Sequence, residues 1–148
     1  MKVVLSLLLL LFADISCKKN AVTYDKLTGD WRLLEIIDKS TSSSLERPAG
    51  TSGDIVLSFS GDQGFSGKTF RNTISNGTYT LSGASQLTFG SFTMTEVAED
   101  QWGTGFLTVL TACPLQSFYP CRPSTYTITG RKLLIESAMR YNILLERM

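Results

Sequence analysis

Residues 125–146, TYTITGRKLLIESAMRYNILLE, decide the fold class. Tyr126 and Ile128 alternate with Thr125, Thr127 and Thr129 before Gly130 interrupts. Leu133 and Ile135 resume the pattern, and Tyr141, Ile143 and Leu145 then alternate with Asn142, Leu144 and Glu146. A period of two sends apolar side chains to one face and polar ones to the other, which is how antiparallel strands half-buried on a core are written.

The same pattern recurs toward the N-terminus at roughly ten-residue spacing. Trp31 to Ile37 reads as a first strand. Ile55, Leu57 and Phe59 alternate with Val56 and Ser58 before a turn at Gly61 to Gly64. Asn76-Gly77 predicts a hairpin-type turn entering Thr78 to Leu81, and Ser82 to Ser85 leads to Leu87 and Phe89. Between the first two strands, Lys39 to Gly53 is rich in Ser, Thr, Gly and charge and is expected as a long mobile, solvent-exposed loop.

One segment changes period. From Thr93 to Thr111 the apolar positions Val97, Trp102, Phe106 and Leu110 recur at helical spacing behind a Thr93-x-x-Glu96 capping-box pattern. An amphipathic helix is expected there, irregular near Gly103 and Gly105, with Glu96, Glu99 and Asp100 complementing its dipole rather than holding a metal. The elements add up to a mainly β (α+β) domain, a curved antiparallel sheet or partly open barrel of about seven or eight short strands with one packed α-helix. Trp31 is expected in its core, tying the first strand to the helix beside Trp102.

The leader, MKVVLSLLLLLFADISC, specifies export. Lys2 precedes the apolar run Val3 to Ala13, and small Ser16 stands before Cys17, the anatomy of a signal peptide spanning residues 1–16. The run is too short for a bilayer core, which needs about 20 residues. A cysteine directly after the small residue predicts cleavage before Cys17 and acylation of its thiol, and Asp14 stands where such sites usually carry Leu. Ordinary signal cleavage near the same place, leaving Cys17 a free thiol, is the alternative. Residues 17–26 then form a lipidated, polar tether, with Lys18 and Lys19 beside anionic headgroups, and residues 27–148 form the domain. The expected location is the bacterial cell envelope, lipid-anchored, on the outer membrane.

With Cys17 assigned to lipid, Cys113 and Cys121 remain as a pair in an oxidising compartment and are expected to form a disulfide. Pro114, Pro120 and Pro123 stiffen that segment. A redox role would want a CxxC spacing at a helix start, which is not found.

Several chemistries are excluded or disfavoured. The chain has no histidine, which removes Ser-His-Asp and Cys-His nucleophilic sites and most zinc or copper sites. It carries no GxGxxG or P-loop pattern, and its Ser16-x-x-Lys19 straddles the cleavage point. Asp54, Asp62, Glu136 and Glu146 lie near predicted strand ends and read as solvated positions rather than an acid–base pair. The net charge is only +1 and the basic residues are scattered, so no nucleic-acid partner is expected. No catalytic, cofactor or metal site is expected.

Leu27-x-Gly29-x-Trp31-x-Leu33, the strand ending in Phe59, the Gly-rich turn Gly61 to Gly67, Asn72, Gly77-x-Tyr79, Leu87-x-Phe89 and Thr93 or Thr95 before a helix resemble the META domain family. The closing pattern Tyr126-x-Ile128-x-Gly130-x-x-Leu133-x-Ile135 is similar too, so the resemblance spans about residues 27 to 147. The family includes HslJ-like envelope lipoproteins. Where it carries a correlated cysteine pair, this chain has Arg71 and, near the helix start, Val97 or Ala98. The resemblance implies a single small β domain with one helix in the bacterial envelope and no catalytic residues.

The function expected is therefore non-enzymatic: an interaction or stress-response module of the envelope, monomeric, anchored by lipid and meeting another envelope protein. The alternative is a lipocalin-like carrier of a small apolar ligand, with Gly29-x-Trp31 compatible with that class. Trp31, Phe59, Tyr79, Phe89, Trp102 and Phe106 are expected to fill the interior, and a carrier would need that space open.

Overall fold

Alternating strands bury their apolar face most completely by curling until the sheet meets itself, and this chain does so. The computed structural model describes residues 24–112 and 122–148. The strands are β1 (Gly29–Asp38), β2 (Ser43–Ser44), β3 (Val56–Phe59), β4 (Gly64–Lys68), β5 (Thr73–Ser82), β6 (Gln86–Phe89), β7 (Thr93–Met94), β8 (Ser124–Thr129), β9 (Lys132–Glu136) and β10 (Tyr141–Arg147), with the helix α1 (Gln101–Thr111) between β7 and β8. Antiparallel pairing runs β1-β3-β4-β5-β6-β8-β9-β10, and β10 pairs back onto β1 from Trp31↔Arg147 to Asp38↔Tyr141. The wall is thus a closed eight-stranded barrel, with β2 and β7 as short additions on β1 and β5. Closure removes the sheet edges that a partly open barrel would have left to solvent.

Every second side chain points inward. Trp31, Phe59, Tyr79, Phe89, Trp102 and Phe106 are all buried, as the sequence predicts. The Tyr79 and Phe59 rings meet at 5.0 Å, Phe59 and Phe89 at 6.1 Å, and Phe89 and Phe65 at 5.2 Å, so the interior is crossed by packed aromatic groups. Tyr79 donates its hydroxyl to the Ser60 carbonyl at 2.9 Å, and burial pushes its phenol up to about 12.

The two barrel ends are closed differently. Where β1 starts, a 3-10 turn (Tyr24–Lys26) lies against the wall, with the Tyr24 ring 5.9 Å from Tyr79 and Leu27 fully buried. At the other end α1 packs on β10 and β1. Gly105 makes that approach possible, since an added Cβ would sit 3.2 Å from Ile36 and 3.5 Å from Leu45.

Several local expectations are corrected. The helix is regular through Gly103 and Gly105 but begins at Gln101, capped by Asp100, which accepts from the Gly103 amide at 2.9 Å. Thr93 pairs with Ser75 in β7 instead of capping a helix, and Val97 is exposed ahead of it. Asn76-Gly77 is not a hairpin turn. It is a bulge inside the continuous strand β5, with Asn76 at φ +53° and the register shifted opposite Phe65 to Gly67. Gly77 is required there, because a Cβ would lie 2.5 Å from the Phe65 ring.

The segment 39–53 is less free than its composition suggests. It contains β2, Leu45 packs against the core, and the Trp102 indole donates to the Leu45 carbonyl at 3.1 Å. Trp102 stacks on Phe70 at 6.5 Å, with the Arg47 guanidinium over both rings, whereas Trp31 lies under Arg147 at the opposite end. The expected Trp31–Trp102 partnership is therefore replaced by two separate anchors.

Candidate functional site

The carboxylates of the sequence reading are engaged by neighbouring side chains and backbone. Asp54 lies 3.7 Å from Arg47, and Glu146 lies 2.6 Å from Arg32, whose hydrogen bond holds the carboxyl below the usual range. Asp62 closes its own turn, accepting from the Ser60 hydroxyl and the Gly64 amide, and those bonds lower its pKa. Glu136 stands in register between Asn142 and Thr125 on the outer wall. Each of the first three is held by a local partner, and Arg32 feels Glu146 first and Asp54 more weakly. Among the described residues no group of three or more His, Cys, Asp or Glu side chains could hold a metal ion.

The acidic trio before the helix is also divided. Glu96 is exposed, Asp100 caps α1, and Glu99 turns inward to a polar clamp that the sequence reading missed. Buried Asn72 donates its amide to the Val97 carbonyl at 2.7 Å and to Glu99 Oε1 at 2.5 Å. Its Oδ1 accepts from the Val97 amide at 2.8 Å and the Thr95 hydroxyl at 2.9 Å. Thr69, also buried, donates to Glu99 and accepts from the Asn72 amide at 2.8 Å. The clamp joins the β4–β5 loop to the approach of α1, so its work is structural. Glu99 Oε2 is the one buried oxygen in it without a partner.

Cys17, Cys113 and Cys121 lie outside the described residues. On either side of the segment holding the last two, the Arg122 amide donates to the Ala112 carbonyl at 3.1 Å, so the chain closes on itself there. Among the described residues no helix is long and apolar enough to cross a membrane.

The concave features flanking β3 and β4 lie on the outer wall. One depression of about 460 Å³ lies beside the β3–β4 turn and is lined by Ser58, Ser60, Asp62, Gln63, Ser66 and Asn76, among others. A second of about 540 Å³ continues from the shared residues Ser58 and Ser66 toward Lys68, Thr73 and Ser75. Gly67, in the lining of the second, allows β4 its close approach to β3, since a Cβ on it would meet the Val56 carbonyl at 2.5 Å. Hydroxyl and amide side chains line the first beside Phe59 and Phe65, and the second adds Val56, Ile74 and Met148 with Asp30 and Lys68, so apolar surface outweighs polar in both.

No family model matches the chain, and no curated protein does. Among solved structures, the chain is similar to a protein from Burkholderia xenovorans determined by NMR, at 19% identity and a TM-score of 0.58. The match covers 83% of this chain and 85% of that one. At that identity the likeness concerns the fold alone, and the barrel is what the two share.

Proposed function

We propose that the chain is a non-enzymatic lipoprotein of the bacterial cell envelope, a META-like, HslJ-like interaction or stress-response module that acts through its outer surface. In this reading residues 1–16 are removed, Cys17 carries lipid, residues 17–26 tether the domain, and Cys113 and Cys121 are disulfide-bonded. The observation that carries the surface reading is the filled interior. The aromatic chain from Tyr24 through Tyr79, Phe59, Phe89 and Phe65 occupies the lumen that a carrier would keep open. The segregation of carboxylates onto separate local partners supports the non-enzymatic part.

The second reading, a lipocalin-like carrier, rests on the closed eight-stranded barrel, an architecture that elsewhere encloses apolar ligands. Titration with N-phenyl-1-naphthylamine separates the two. The surface reading expects no saturable change in tryptophan emission, whereas saturable binding abolished by a bulky interior substitution establishes the carrier. Anchoring is tested by metabolic labelling with a radioactive fatty acid. The native chain should incorporate label and Cys17→Ala should not, while equal labelling, or none in either, refutes the lipoprotein assignment.

A further inference from the structure

The seam that closes the barrel carries an ordered array on its outer face. Leu144 of β10 stands opposite Leu134 of β9 on one side. On the other side the register shifts between Leu33 and Glu35, so that Leu34 and Glu35 together oppose Leu144. Leu133, Ile135, Ile143 and Leu145 are fully buried, which turns Leu134 and Leu144 to the opposite face, where both are partly exposed. Leu34 is 37% exposed. A row of three leucines thus crosses β9, β10 and β1 on the solvent side of the wall.

The rows on either side of it differ in sign. Toward the β8–β9 turn, Lys132, Glu146 and Arg32 stand in register, two cations against one carboxylate. Arg32 takes up Glu146 at 2.6 Å, and Lys132 remains exposed. Toward the α1 end, the row in register is Glu136, Asn142 and Ile37, with Glu35 beside it accepting from the Ser44 hydroxyl. Farther out, Arg140 holds Asp38 and Lys39 donates to the Ser137 carbonyl. Strand β9 repeats the pattern by itself, with Lys132, Leu134 and Glu136 outward in turn and leucine midway.

We propose that this face pairs with the same face of a second copy of the chain. A two-fold axis lying in the interface along the leucine row reverses the order of the rows. Leucine then meets leucine, while Lys132 and Arg32 meet Glu136 and Glu35 of the second copy, and each such contact occurs twice. An axis along the strands would instead set each row against its own kind, so charge selects the first arrangement. A nucleic acid or an anionic membrane would meet Glu35 and Glu136 along with the cations. Sequence alone suggests a monomer; the array appears only once β1 has closed on β10.

Three strands about 4.8 Å apart make a small interface, so the dimer should be weak, forming at about 0.1 mM. On the anchored reading above, copies confined to one membrane face reach the effective concentrations that so small an interface needs.

Sedimentation equilibrium of the whole chain, with detergent micelles in large excess, tests the pairing. The protein mass should rise from one chain toward two between about 5 μM and 500 μM. Lys132→Glu and Glu136→Lys each set like charges across the axis and should weaken the dimer about tenfold or more. Mixed in equal amounts, these two variants should associate with each other, since every crossing pair is then opposite in sign. Unchanged thermal unfolding shows that both fold. A single-chain mass for the native protein over the whole range overturns the proposal, as does a dimer that both variants retain or a mixture that stays monomeric. Fatty-acid labelling tests the anchor separately, so neither failure is mistaken for the other.

Discussion

The guanidinium of Arg147 lies 4.4 Å from the centre of the Trp31 ring. From there Arg147 donates to the Thr28 carbonyl at 2.9 Å and the Lys26 carbonyl at 2.6 Å, so one side chain of β10 holds the chain's entry, the core tryptophan and the first strand together. Arg147→Ala should cost about 1–3 kcal/mol through the lost cation–π contact and unpaired carbonyls. Lysine should not restore it, because an ammonium cannot span both carbonyls from above a ring. Trp31→Ala should cost about 3–5 kcal/mol, as expected for a buried aromatic. Urea unfolding measures both, and an Arg147→Ala midpoint equal to the native one refutes the anchor.

Asn72 should be intolerant even of close relatives. Asn72→Ala removes the partners of the Val97 amide and carbonyl and one of the two donors to Glu99, and loss of this buried amide's bonds should cost about 1–3 kcal/mol. Asn72→Asp keeps the acceptor but sets a second carboxylate beside Glu99. Its deficit should be larger near pH 7 than near pH 4, where protonation relieves the repulsion. Thermal unfolding at the two pH values checks the order.

Gly77 is fixed by the Phe65 ring. Gly77→Ala should destabilise the barrel by about 1–3 kcal/mol from overpacking. Combining it with Phe65→Leu should return part of that loss relative to the sum of the single variants. Strict additivity in the double variant argues against the contact as the cause.

Stability should fall in acid through Asp38. Arg140 grips its carboxylate, the Ser40 hydroxyl and amide add bonds, and its pKa is held well below the ordinary carboxylate range. A carboxyl whose pKa is lowered on folding stabilises fully above its unfolded value, about 3.9, and the contribution is lost as pH falls through the folded value. The gap in melting temperature between the native chain and Asp38→Asn should be full near pH 7 and narrow below about pH 4. A gap independent of pH refutes the assignment.

Cys113 and Cys121 should be joined. The residues flanking their segment meet, the Arg122 amide donating to the Ala112 carbonyl. Mass spectrometry without reductant should show that peptide two hydrogen atoms lighter than its dithiol form, and two alkylatable thiols disprove the bond.

Alternation was enough to read most of the wall, because each strand declares locally which face is buried. The turns at Gly83 and Gly130 were equally legible, and both adopt φ +59°. Asn76-Gly77 shows where local reading stops. Its positive φ was readable, but whether a left-handed residue turns the chain or bulges a strand depends on β4 across the sheet. Thr93-x-x-Glu96 failed for the same reason, since pairing with Ser75 outweighs a cap, and Asp100 takes that role. The closure of β1 on β10 and the polar clamp join residues far apart in sequence and leave no local trace.

The pairing of β1 with β10 has a consequence in time. Arg32 and its partner Glu146 are 114 positions apart, so the seam that finishes the barrel can form only after nearly all of the domain has emerged. Folding is therefore governed by a late, long-range encounter, which is slow for β topologies. Until then β1 and β9 each present a raw edge to other chains. A chain of this design has to be shielded until its last strand is in place.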